Sequence, residues 1–314
     1  MILAPISSPK DDASANPAEG DGGAFGGLAG DPAGSIEGIV AVAAADREQQ
    51  IPVIMASPHS GRAYEGELRR STLLSVDQLR RSEDAYVDKL IEGAHKHGIT
   101  TVCALFPRVF VDVNRSPREL DPGMYSDRLP ASTDSGSRRT ASGLGVIPRI
   151  AADGRPLYRR RFKVAEAEAR LERYYRPFHA VLKAQIEQVR QRFGCAFLID
   201  VHSMPDQSAR GVDMVIGDRF GSSCHPGFAD LVEQRLRRQG FVTVRNTPYA
   251  GGFTTEHYGR PETGVHAIQI EISRRLYLDE HRVALAENFA SLKSEIGNFV
   301  SYLSEFRWSG QFTS

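Results

Sequence analysis

Apolar residues along this chain gather in short continuous runs, and the stretches between several of them repeat at helical spacing. The runs 51–57, 99–106, 109–113, 195–201 and 266–272 are rich in Val, Ile and Phe and too short for buried helices. They predict strands, several of them buried on both faces. Two shorter runs, 212–216 and 242–245, predict further strands. The segment 76–97 carries Leu79, Val87, Leu90 and Ala94 at helical spacing, with Gly98 placed to stop it. The segment 164–192 predicts a long helix that Pro177 should kink, because proline removes a backbone donor and crowds the preceding turn. Helices are also predicted over 226–239, stopped by Gly240, and over 279–304. Strands alternating with helices predict an α/β fold: a mixed, mostly parallel sheet flanked by helices on both faces.

The polar stretches set the boundaries. Residues 1–35 are rich in Gly, Ala, Ser, Pro and Asp and hold few large apolar groups. Such a segment buries too little surface to offset its ordering entropy, so it predicts a disordered tail before a single domain at 36–314. Residues 114–155 are also polar, and an insert of that length in a compact domain predicts a lid or a mobile loop. Lys plus Arg number 39, as do Asp plus Glu, so no nucleic acid or anionic membrane is expected as partner. No apolar run approaches a membrane span, and the N-terminus lacks a basic head followed by an apolar core. Three widely spaced cysteines, Cys103, Cys195 and Cys224, with no CxxC pair, fit a reducing cytoplasm.

Candidate chemistry then falls at strand ends, where open α/β sheets form their ligand crevice. His59 follows the first run in a tight Pro58–Gly61 turn. Alternation puts Asp200 and His202 on one face of their strand, where Asp200 can orient the imidazole, an arrangement familiar behind zinc ligands. Glu271 stands between Ile270 and Ile272 and is either structurally paired or a proton acceptor. A third metal ligand is open among Glu83, Asp84 and Asp112; Glu83, Asp84 and Asp88 also suit a helix start for dipole reasons alone. Arg115, and Arg210 before run 212–216, are candidate clamps on substrate carboxylates. The turn at Gly251, Gly252 and Thr254 could admit a ligand close to its backbone. Two histidines with carboxylates make the parts of a hydrolytic zinc site.

Six motifs now carry a resemblance. They are Ser57-Pro58-His59-Ser60-Gly61, Asp112-Val113-Asn114-Arg115-Ser116-Pro117, Gly154-Arg155-Pro156-Leu157-Tyr158, Tyr175-Arg176-Pro177-Phe178-His179, Asp200-Val201-His202-Ser203-Met204-Pro205 and Gly251-Gly252-Phe253-Thr254. In this order, from about 51 to 300, the chain resembles the N-formylglutamate amidohydrolase family. The resemblance implies a phosphorylase/hydrolase-like fold related to zinc carboxypeptidases and aspartoacylases. It implies hydrolysis of N-formyl-L-glutamate to glutamate and formate, in histidine breakdown. It implies zinc held by His59, His202 and an acid near the first helix, with Asp84 ahead of Glu83. The His-x-x-Glu pair of the carboxypeptidase-like relatives is absent, because Arg62 stands three residues after His59. The resemblance also implies Asn114 and Arg115 as carboxylate binders and Glu271 as general base. Two other readings stay open: a related zinc deacylase or carboxypeptidase acting on another N-acyl amino acid or small peptide, and a metal-free binding protein.

Overall fold

The computed structural model of the chain describes residues 34–308 and 312. Nearly all of the segment expected to be disordered lies outside the described residues. Seven strands form the central sheet: β1 (Val40–Ala43), β2 (Val53–Ser57), β3 (Thr100–Ala104), β4 (Ala196–Met204), β5 (Met214–Gly217), β6 (Thr243–Arg245) and β7 (Val265–Ser273). Their order is β1-β3-β2-β4-β7-β5-β6. The four central strands β3, β2, β4 and β7 run parallel. Edge strand β1 is antiparallel to β3, and β5 is antiparallel to β7 with β6 parallel to it. The sheet is thus mixed and mostly parallel.

Every residue of β2, β3, β4, β5 and β7 is buried, as strands covered on both faces must be. One face of β2, β4 and β7 presents Ile54, Ala56, Ala196, Leu198, Val265 and Ala267 to a core with Phe178, Leu182, Ile186 and Val189 of helix Arg176–Phe193. The other presents Met55, Phe197, Ile199, Val201, Ile268, Ile270 and Ile272 to helices Pro226–Arg238 and Phe289–Glu305. Each fully buried Val, Leu, Ile, Met or Phe among them contributes about 1.5–3 kcal/mol.

Several expected elements differ. Residues 109–113 form no strand: Phe110 N–H and Val111 N–H both turn back to the Pro107 carbonyl, and the buried Val109, Phe110, Val111 and Val113 pack as a coil. The expected helix 76–97 is three short pieces, Val76–Arg80, Val87–Leu90 and the 3₁₀ turn Ala94–His97. It breaks because Asp84 N–H bonds to the His59 carbonyl and Tyr86 takes a left-handed conformation at φ 62°. The expected kink at Pro177 appears as a π-helical turn, Leu171–Tyr175, between helices Val164–Arg170 and Arg176–Phe193. The last helix begins only at Phe289, because 278–285 forms a two-stranded hairpin. Edge strand β1 fell outside the predicted runs. The insert 114–155 is well packed at both ends: Leu120, Met124, Tyr125, Val146, Ile147 and Ala151 are buried.

Candidate active site

The carboxyl ends of β2, β4 and β7 open into a cleft of about 510 Å³, lined among others by His59, Asp84, Asp112, Asn114, His202 and Glu271. Three side chains converge at its floor. His59 comes from the turn after β2, which lies against the segment that follows β3: a Cβ on Gly61 would stand 2.3 Å from the Phe106 carbonyl oxygen. Asp84 comes from the helix break, with its amide bonded to the carbonyl of His59. His202 comes from β4. Asp84 Oδ2 lies 3.3 Å from His59 Nδ1 and 2.8 Å from His202 Nδ1. The three residues offer ligand atoms within 4.8 Å of one another, and all are buried.

The outer nitrogens fix the rings. His59 Nε2–H donates to Asp112 Oδ1 at 2.8 Å, and His202 Nε2–H donates to Asp200 Oδ2 at 2.9 Å. Both Nδ1 atoms therefore face Asp84, and His202, protonated on both nitrogens, also donates Nδ1–H to Asp84 Oδ2. This carboxylate–histidine arrangement is the one that orients metal ligands. His59 Nδ1 is buried without a hydrogen bond. Glu83 is not part of the cluster, because Tyr64 and Arg80 hold its carboxylate. Asp88 pairs with Arg62. Asp112 stands behind His59 rather than beside Asp84.

Charge gives a second argument. Burial opposes ionisation of Asp84, yet the hydrogen bond from His202 and the adjacent His59 imidazole hold it well below the usual carboxylate range. Burial likewise opposes Asp112, but the Arg108 cation and His59 hold it well below that range. His202 is raised well above an ordinary imidazole, because Asp200 and Asp84 outweigh its burial. Four buried carboxyl groups, those of Asp84, Asp112, Asp200 and Glu271, meet two arginines in ion-pair reach, Arg108 and Arg274. A buried carboxylate between two imidazoles whose Nδ1 atoms face it fits a divalent cation, which would take the place of the His202 Nδ1 proton.

Glu271 is the registered neighbour of His202 across β4 and β7. It does not break the run of isoleucines. Ile268, Ile270 and Ile272 face the opposite core, whereas Gln269 and Glu271 share the face of Asp200 and His202. Burial pushes the Glu271 carboxyl up to about 7. Gln269 Nε2–H donates to Glu271 Oε1 at 2.7 Å and fixes it.

Comparison with known proteins places this cleft. Residues 51–278 match the model of the N-formylglutamate amidohydrolase family. The chain belongs to that family. It is 30% identical over 251 residues to an N-formylglutamate deformylase of Pseudomonas aeruginosa, covering 76% of this chain and 88% of the relative. It is 26% identical over 239 residues to that of Pseudomonas putida, covering 74% and 83%. The crystal structure of an N-formylglutamate amidohydrolase from Ralstonia eutropha JMP134 superposes with a TM-score of 0.80 at 34% identity, covering 85% of this chain and 98% of that one. The protein is a hydrolase of the amide bond.

Further residues of this amidohydrolase line the cleft. Arg115 lines it, with Nη1–H donating to the Asn114 carbonyl and Nε–H to that of Leu144. The Asn114 side chain lies 3.2 Å from His202 Nε2 and takes the Thr254 amide on Oδ1 at 2.8 Å. Thr254 itself is fully buried and stands behind Asn114, outside the cleft wall. Arg210 is exposed and does not line the cleft, because the chain reverses through left-handed Arg210 and Gly211 before β5. The arginine that reaches the cleft from this region is Arg219, after the same strand. Arg108, Arg139, Arg274 and Gln269 also line the cleft and were not singled out from the sequence. Gln269 could have been, since the alternation that joins Asp200 to His202 joins it to Glu271. Among the described residues, no helix is long and apolar enough to cross a membrane.

Proposed function

We propose that the protein hydrolyses N-formyl-L-glutamate to glutamate and formate, with zinc held by His59, Asp84 and His202 and with Glu271 as general base. The observation that carries the reading is the convergence of two imidazole Nδ1 atoms on Asp84 Oδ2 beside a buried glutamate. The names of the Pseudomonas relatives support the substrate. Imidazole and carboxylate ligands suit zinc. Bound there, zinc supplies Lewis acidity toward the formyl oxygen and makes water a stronger acid.

The protein's own groups supply the rest. Glu271 takes a proton from the attacking water as oxygen adds to the formyl carbon, then delivers a proton to the departing amine nitrogen as the C–N bond breaks. A carboxyl near 7 is suited to both halves of that exchange. Asp112 and Asp200 hold the His59 and His202 tautomers. Asn114 and Arg115 bind a substrate carboxylate, with Thr254 acting through its amide on Asn114. A second carboxylate of the substrate meets the cationic wall that includes Arg139 and Arg219 in place of Arg210. Neither Arg115 nor Arg139 has a carboxylate in ion-pair contact among the described residues.

The test is formate release from N-formyl-L-glutamate, with metal content measured on the same sample. Release that is lost on chelation and restored by zinc is expected. Stoichiometric zinc with no formate would reject this substrate and move the search to other N-acyl amino acids. Neither metal nor activity after zinc is returned would leave only a binding role.

A further inference from the structure

The substrate corner at Asn114 and Arg115 belongs to no strand or helix, so its backbone carbonyls need partners from elsewhere. Side chains provide them. The Val113 carbonyl accepts from His179 Nε2–H at 2.9 Å. The Arg115 carbonyl accepts from the Tyr175 hydroxyl at 2.9 Å. Because His179 Nε2 donates to a carbonyl, its Nδ1 carries the lone pair, and Tyr258 O–H donates to it at 2.9 Å. The tautomer is thereby fixed. Burial keeps the imidazole neutral, with its pKa pushed down to about 4.

Tyr175 and His179 stand one helical turn apart, with ring centroids 4.3 Å apart. The π-helical turn Leu171–Tyr175 ends where helix Arg176–Phe193 begins, and it sets the phase in which both face residues 113–115. Phe253 packs on both rings. The next residue, Thr254, holds the Asn114 amide group from the other side. None of Tyr175, His179 and Tyr258 lines the cleft.

We infer that His179 and Tyr175, with Tyr258 behind His179, are positioning residues that fix Asn114 and Arg115 for recognition of the substrate carboxylate. The inference rests on the reading of Asn114 and Arg115 as carboxylate binders. A displacement of about 1 Å in a binding group is enough to cost on the order of 100-fold.

The experiment compares wild type with His179→Leu, His179→Gln and Tyr175→Phe, each with full metal content. Glutamine can donate to the Val113 carbonyl and accept from Tyr258; leucine can do neither. For N-formyl-L-glutamate, KM should rise about 10- to 100-fold in His179→Leu and several-fold in Tyr175→Phe, with kcat within about threefold. His179→Gln should recover most of the KM. Amide hydrogen exchange should quicken at 113–115 in His179→Leu while β4 and β7 stay protected. An unchanged KM in a folded, metal-loaded His179→Leu overturns the inference. So does a loss of kcat, metal and melting temperature together with no rescue by glutamine, which would make His179 a core residue only. If the wild type releases no formate, the functional reading falls instead. Exchange at 113–115 then decides the inference, and an unchanged pattern in His179→Leu rejects it.

Discussion

Glu271→Gln separates the chemistry of this glutamate from the cost of burying it. Glu271 is 8% exposed, and burial is the first cause that lifts its carboxyl from 4.5 to about 7. Its folded pKa lies above its unfolded value, so the proton is held more tightly in the native state. The stability this contributes is complete below about 4.5 and is lost as pH rises through about 7. At about 1.4 kcal/mol per pH unit, the ionised carboxylate at pH 8 costs the fold about 3 kcal/mol relative to pH 4.5. Glutamine keeps the size and the acceptor for Gln269 but never ionises. Metal-free Glu271→Gln should therefore exceed metal-free wild type by about 3 kcal/mol at pH 8 and match it to about 1 kcal/mol near pH 5. Urea denaturation of chelator-treated protein at both values measures this. In the metal-loaded protein the same variant should retain its zinc and lose about 100- to 10,000-fold in kcat. Equal stability gains at both pH values would refute the burial account, and normal turnover would refute the base.

Other substitutions test the rest of the site. Asp112→Asn removes the anion behind His59 and leaves Arg108 without its main partner; zinc affinity should fall about 10- to 100-fold, read by competition with a chromogenic chelator. Arg115→Ala should raise KM about 10- to 100-fold by removing a charged hydrogen bond, whereas Arg210→Ala should leave KM within about twofold, because Arg210 is exposed and off the cleft. Gly252→Ala would place a Cβ 2.3 Å from Asn114 Nδ2. Displacement of Asn114 should cost this variant most of its kcat/KM while its melting temperature falls by only a few degrees, as steady-state kinetics and calorimetry would show.

The local parts of the site were legible in the sequence. His59 and His202 follow or end apolar runs, and alternation alone joined Asp200 to His202. What the sequence left open was long-range. The partner that takes His59 Nε2 is Asp112, 53 residues away. The amide that holds Asn114 belongs to Thr254, 140 residues away. Asp84 rather than Glu83 stands beside the two imidazoles, because Tyr64 and Arg80 hold Glu83 away from the cluster. Run 109–113 misled because apolar content signals burial, not a ladder. Its amides turn back on Pro107, so the chain stays buried but leaves the sheet at the point where Asp112, Asn114 and Arg115 are needed.

The same alternation explains why these groups are held in place and buried. On one face of β4, Ala196 and Leu198 belong to the core, and Asp200 and His202 continue that face into the cleft. On β7, Val265 and Ala267 belong to the core, and Gln269 and Glu271 continue into the cleft. The opposite face stays apolar along both strands. A single strand pair thus anchors by its first half and carries the candidate site on its second, without a loop between. These side chains cannot shift far without disturbing the central ladder. They are also buried, so each charge acts more strongly on its neighbours than it would at the surface. The pKa of Glu271 follows from this placement, and so does the fit of a cation among His59, Asp84 and His202.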